Sequence, residues 1–280
     1  MDRIEFEVEP GLLLVGDRLG TRSSPTAPTV LLAHGGGQTR GAWGGTAQAL
    51  AAAGHRAIML DLRGHGESGW APHGDYATAR FAADLVAVAR CLEGPVVLVG
   101  ASLGGLAGML AEGELAPGTF SRMVFVDVAP QLEPEGVAGI VGFMRAHLDE
   151  GFATLDDAAD AIERYLPQRR GRRNPEGLRR NLRLGADGRW RWHWDPRFMA
   201  PSASPQGTDH RDRLERALAS IEVPVLLVRG RMSELVSEAG VAAFLRCAPH
   251  GKVVDVAGAG HMVAGDRNDA FTDAVVEFIS

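Results

Sequence analysis

The chain has 280 residues, 45% hydrophobic and 23% charged, with a net charge of −6; it is long enough to bury a sizeable core and ordinary in composition for a globular protein. The acidic balance argues against general nucleic-acid binding. No apolar run reaches the roughly 20 residues that cross a bilayer. The opening "MDRIEFEVEP" lacks the basic and apolar parts of a signal peptide, so a cytoplasmic location is expected. Cys91 and Cys247 are the only cysteines and show no metal-ligand spacing. In chain order, "RIEFEVE" and "LLLVGDR" read as an antiparallel edge hairpin, followed by "TVLLAHG" (29–35), "RAIMLDLRG" (56–64), "PVVLVGAS" (95–102) and "RMVFVDVAP" (122–130). "VPVLLVRG" (223–230) and "KVVDVAG" (252–258) come late in the chain. These short, nearly continuous Val/Leu-rich runs are the pattern of strands covered on both faces, as in a parallel sheet.

Helical stretches separate them: 46–54 and 79–94, both ending on glycine, then 103–115, 237–248 and 266–279. Alternation of this kind predicts a doubly wound α/β sheet. It breaks between about 131 and 217, where "GVAGIVGFMRAHL" and "TLDDAADAIERYL" precede an Arg-rich segment and "RWRWHWDPRF". That stretch is too long for a loop inside a compact domain. It reads as a mainly helical cap (131–217) inserted between core segments 1–130 and 218–280, over the strand ends where open α/β sheets bind ligands.

The chemistry is concentrated in three stretches. In "LVGASLGG" (98–105), Ser102 stands between small residues just where a strand gives way to a helix. This is the context of a nucleophile elbow, in which the following N–H, of Leu103, faces an oxyanion; the bland alternative is a small-residue turn. "AHGGGQTRGAW" (33–43) follows the first parallel strand and matches the glycine loop that supplies a second oxyanion donor, with His34 pinning the turn. "GAGHMVAGD" (258–266) puts His261 after the last strand, downstream of the serine, as a general-base candidate.

With "HGGG", "DLRGHGES" (61–68), "GASLGG" and "GAGHM" in this order, the chain resembles the α/β-hydrolase fold family over essentially its whole length, specifically its capped, esterase- and haloperoxidase-like serine hydrolases. The resemblance makes Asp61, Gly64 and Gly66 scaffold and leaves His65 structural, with no evident partner. It implies a Ser102–carboxylate–His261 triad, with the oxyanion held by the N–H groups of Gly36 and Leu103. Family position gives the acid to Glu234 in "RMSELVS"; Asp127 in "VFVDVAP" is the alternative. The implied reaction is cleavage of an ester, lactone or related acyl bond of a small substrate through an acyl-enzyme, with no metal or organic cofactor. A serine at the elbow, rather than an aspartate, excludes epoxide-hydrolase and dehalogenase chemistry. Carbon–carbon hydrolysis, perhydrolysis, cofactor-free oxygenation and a hydrolase-derived receptor stay open, as does homo-oligomerisation.

In the insertion, Trp190, Trp192 and Trp194 alternate with Arg191 and His193, which sends the indoles to one side of an extended segment. With Trp43 they could line an apolar acyl pocket, or they could pack the cap onto the core. Between 164 and 197 arginines outnumber Glu176, Asp187 and Asp195, which reads either as steering for anionic substrates or as a solvated surface.

Overall fold

The computed structural model describes residues 1–165, 174–200, 208–261 and 268–280. Strands β1 (Asp2–Glu9) and β2 (Leu12–Leu19) form the expected antiparallel hairpin. Then β3 (Thr29–Ala33), α1 (Gly44–Ala52), β4 (Arg56–Leu60), α2 (Thr78–Arg90), β5 (Val96–Ala101), α3 (Leu103–Leu110) and β6 (Arg122–Val126) alternate. After β6 come α4 (Pro134–Arg145), α5 (Leu155–Tyr165) and a short antiparallel pair, β7 (Leu182–Leu184) and β8 (Trp190–Trp192). The alternation resumes with α6 (Thr208–Ala219), β9 (Val225–Gly230), α7 (Glu238–Cys247), β10 (Lys252–Val256) and α8 (Asn268–Ile279).

Among the described residues the main sheet has the order β1-β2-β4-β3-β5-β6-β9-β10, parallel from β4 onward. The apolar runs divide by parity, as a pleated strand requires. Leu31, Leu98, Phe125 and Leu227 enter the layer with α2, α3 and α6, while Val30, Val97, Val124 and Leu226 enter the layer with α1 and α8. Every residue of β3 is fully buried. Burial on both faces explains why alternation is missing from these sequences.

The inserted segment has its own small core, in which Met144, Phe152, Leu155, Ala158, Leu182, Trp192 and Trp194 pack together. Its two strands form a separate sheet rather than extending the main one. The sequence boundary at 217 falls inside α6, however, and α6 belongs to the core: Leu214, Ala217 and Leu218 pack in the layer with α2 and α3. The chain therefore returns to the core at about residue 208. The expected helix over 103–115 changes character at 111, where residues 111–115 widen into a π turn. There Glu112 is buried and accepts the N–H groups of Gly118 and Phe120.

Candidate active site

Ser102 joins β5 to α3 with φ 44° and ψ −111°, a conformation that strains any residue with a Cβ. The flanking glycines exist for close backbone approach. A Cβ on Gly100 would lie 2.7 Å from the backbone of Gly104, and one on Gly104 would lie 2.5 Å from the Ala33 carbonyl oxygen. The small residues around the serine thus let α3 start directly over the ends of β3 and β5, with its first N–H groups beside the hydroxyl. Ser102 N–H donates to the Val126 carbonyl at 3.2 Å, which ties the turn to the end of β6.

The glycine loop after β3 lies against this turn; a Cβ on Gly35 would be 3.2 Å from that of Ser102. Its three N–H groups have different fates. Gly35 N–H donates to Gln38 Oε1 (3.0 Å) and Gly37 N–H donates to His65 Nε2 (3.1 Å). Gly36 N–H has no protein acceptor among the described residues, and neither has Leu103 N–H at the start of α3. Both donors expected from sequence are thus without a protein acceptor among the described residues.

The carboxylate beside His261 is Asp127, not Glu234. His261 Nδ1 lies 2.7 Å from Asp127 Oδ2, whereas Glu234 is exposed on the loop after β9. The reason lies in the strand ends. Asp127 follows β6, flanked by β5 and β9; its N–H still bonds the Val228 carbonyl (2.8 Å), and its positive φ of 49° turns the chain there. Its side chain is fully buried, and Oδ1 accepts Gly230 N–H at 3.2 Å. The loop after β10 folds back over the end of β9, with Met232 N–H bonded to the Ala259 carbonyl, and this carries His261 across to Asp127. Ser233 Oγ, 2.6 Å from Asp127 Oδ2, was not singled out from sequence.

Three buried histidines brace the glycine loop, and backbone donors fix their tautomers. Leu62 N–H requires His34 Nε2 as acceptor, so His34 Nδ1 donates to the Gly35 carbonyl. Gly37 N–H requires His65 Nε2, so His65 Nδ1 donates to the Arg63 carbonyl. His65, read as lacking a partner, is thus bonded at both ring nitrogens. Gly66 N–H requires His193 Nδ1 (2.7 Å), leaving Nε2 to donate to the Gly37 carbonyl (3.3 Å). His193 follows β8, outside the main sheet, so this ring clamps that segment to the loops after β3 and β4. Burial, the largest cause, lowers all three pKa values, that of His65 well below the usual range and that of His193 to about 4.

A histidine held neutral in the fold but free to charge when unfolded destabilises the fold as pH falls. Stability is expected to be flat in this contribution above pH 6.5 and to decline toward pH 4. Urea titrations at pH 7 and 4.5 check it: wild type should lose about 2 kcal/mol more than His193→Gln between the two. Equal losses would refute the clamp's titration.

The tryptophans separate. Trp43 ends the 3₁₀ turn that leads into α1 and lies buried in the core against Phe271. Trp190 is half-buried with the Arg179 guanidinium 5.0 Å above its ring. Trp192 is buried in the small hydrophobic cluster of the segment after β6. Trp194 stacks on Trp192 (5.0 Å, 9°) and alone of the three meets the glycine loop, its six-membered ring 3.2 Å from a Cβ placed on Gly37. Phe198 and Met144, unremarked in the sequence, complete this contact: Phe198 lies 3.3 Å from a Cβ placed on Gly36, and the Met144 methyl 2.9 Å from one on Gly37. Asp195 holds Phe198 in place by accepting from Tyr76 Oη (2.5 Å) and from Arg197. Arg179, Arg191 and Arg197 pair with Glu176, Asp187 and Asp195, so each of these acids is matched by one arginine and the arginine excess over them is not compensated by these pairs.

The sequence from 30 to 274 matches the model of the Alpha/beta hydrolase family. Esterase Rv0045c of Mycobacterium tuberculosis is 30% identical over 259 residues, covering 89% of this chain and 82% of its own. The 3-hydroxybutyrate-oligomer hydrolase of Cupriavidus necator is 30% identical over 249 residues, with 85% and 84% covered. Among solved structures, an alpha/beta hydrolase from Novosphingobium aromaticivorans superposes with a TM-score of 0.81 at 25% identity, covering 99% of this chain and 97% of that one.

Proposed function

The chain belongs to the Alpha/beta hydrolase family, and from that premise we propose that it cleaves an ester or related acyl bond of a small substrate through an acyl-enzyme on Ser102. The observation that carries this reading is the Asp127–His261 pair at 2.7 Å, at the end of the strand that pairs with the one leading into a strained serine at a helix start. With Nδ1–H committed to Asp127, His261 keeps Nε2 for proton exchange. Nε2 takes the Ser102 proton as Oγ attacks the carbonyl carbon, and Asp127 stabilises the imidazolium that results. The negative charge moves to the former carbonyl oxygen, where Gly36 N–H and Leu103 N–H receive it, preorganised and without other acceptors. Collapse of this intermediate breaks the bond to the leaving group, which takes the proton from Nε2. Water then repeats the cycle: His261 removes its proton, the acyl–oxygen bond breaks, and Ser102 Oγ regains a proton from Nε2.

Phe198, Met144 and Trp194 put apolar surface against the glycine loop, which favours an apolar acyl group. The relatives named as an esterase and as an oligomer hydrolase support the same class of bond. The test is a panel of p-nitrophenyl esters and lactones, followed by intact-mass measurement after fluorophosphonate treatment. Turnover together with one adduct, mapped to Ser102, is expected. An adduct elsewhere, or full turnover after Ser102 is labelled, would overturn the proposal.

A further inference from the structure

The loop after β9, where family position would put the acid, instead serves Asp127. Ser233 Oγ has one proton and two lone pairs. Leu235 N–H (3.0 Å) and Val236 N–H (3.2 Å) both point at this oxygen, and as donors they can only be accepted. The hydroxyl proton therefore has one destination within reach, Asp127 Oδ2 at 2.6 Å, the same oxygen that receives His261 Nδ1–H. With Gly230 N–H on Oδ1, the carboxylate has three donors and no water-exposed surface.

Resting on the triad proposed above, we infer that Ser233 is a positioning residue for Asp127, its rotor locked by two backbone amides so that its proton fixes the carboxylate oxygen on which His261 turns. A turn that merely capped α7 would not need this: Ser237 Oγ already accepts Gly240 N–H at that helix start. Without the Ser233 proton, Asp127 could rotate about its Cβ–Cγ bond, and His261 would lose a fixed acceptor. The effect should fall on the chemical step. Hydrogen bonds to charged groups are the stronger kind, and losing one here should lower kcat by roughly ten- to a hundredfold with KM nearly unchanged.

The experiment compares Ser233→Ala, Ser233→Thr and Ser233→Cys in the full chain. Readouts are kcat and KM on the best ester found, and the downfield proton resonance of the His261 Nδ1–H. Ser233→Ala should lower kcat and move or broaden that resonance. Ser233→Thr, which keeps the hydroxyl, should restore both to within about threefold in rate. Ser233→Cys has nearly the same shape but donates poorly; it should resemble Ser233→Ala, and it keeps the test decisive should the alanine variant fold badly. A folded Ser233→Ala or Ser233→Cys with wild-type kcat and an unmoved resonance would overturn the inference, while inactivity of Ser102→Ala in the same assay would leave the hydrolase reading standing. Retained turnover in Ser102→Ala would instead remove the triad on which the inference rests.

Discussion

Ser102→Ala is expected to lower kcat about a millionfold while leaving the fold intact. In serine hydrolases generally, loss of the nucleophile costs about as much as loss of the whole triad, because the three groups act as a unit. The stability side has its own prediction. Ser102 sits at φ 44°, where a residue with a Cβ is strained by roughly 1–3 kcal/mol. Alanine keeps that strain, so its unfolding midpoint should match wild type. Ser102→Gly should be equally inactive yet more stable than Ser102→Ala by about 1 kcal/mol, part of the relief being offset by glycine's greater unfolded-state freedom. Denaturant titration of the three proteins and one ester assay check both. A folded Ser102→Ala protein with wild-type turnover would put the nucleophile elsewhere.

The features legible in the sequence are those with a local cause. Central strands show because burial on both faces demands unbroken apolar runs. The turn at Ser102 shows because Gly100, Gly104 and Gly105 are required by close contacts with each other's backbone, the Ala33 backbone and the Val128 side chain. Features that depend on which strand ends converge were not legible. His65 finds its partner in the N–H of Gly37, 28 residues away, and only the fold brings them together. Trp43 follows the glycine loop in sequence, yet the intervening 3₁₀ turn rotates it into the core. The alternation of Trp190, Trp192 and Trp194 is real, but the face it defines packs largely into the small hydrophobic cluster of its own segment. His193, on the other parity, makes the link to the core.

The carboxylate beside His261 is the instructive case, because family position favours Glu234 whereas the geometry puts Asp127 there. A signal was present. Asp127 directly follows five residues of a strand flanked on both sides, so its charge had to be paired inside the protein. Glu234 is exposed on its loop, just before buried Leu235 and Val236, and an exposed carboxylate needs no partner.

Asp127→Asn should therefore lower kcat by about ten-thousandfold, the usual cost of neutralising the orienting acid, and Glu234→Gln should stay within about twofold of wild type. The carboxylate accepts from Gly230 N–H on Oδ1 and from Ser233 O–H and His261 Nδ1–H on Oδ2. An asparagine must turn its NH₂ group toward one of these sets of donors. Facing Oδ2's partners, it would drive the His261 proton to Nε2 and leave no base for Ser102. Facing Gly230, it would keep the tautomer but withdraw the negative charge that stabilises the imidazolium. Both orientations also leave a buried donor unsatisfied, which costs about 1–3 kcal/mol of stability, so the comparison is made below the melting transition and alongside a folding measurement. Initial rates on one ester, for both variants, decide the matter. Loss in Glu234→Gln with Asp127→Asn near wild type would return the acid to the loop after β9. Equal moderate losses would mean that neither carboxylate alone orients His261.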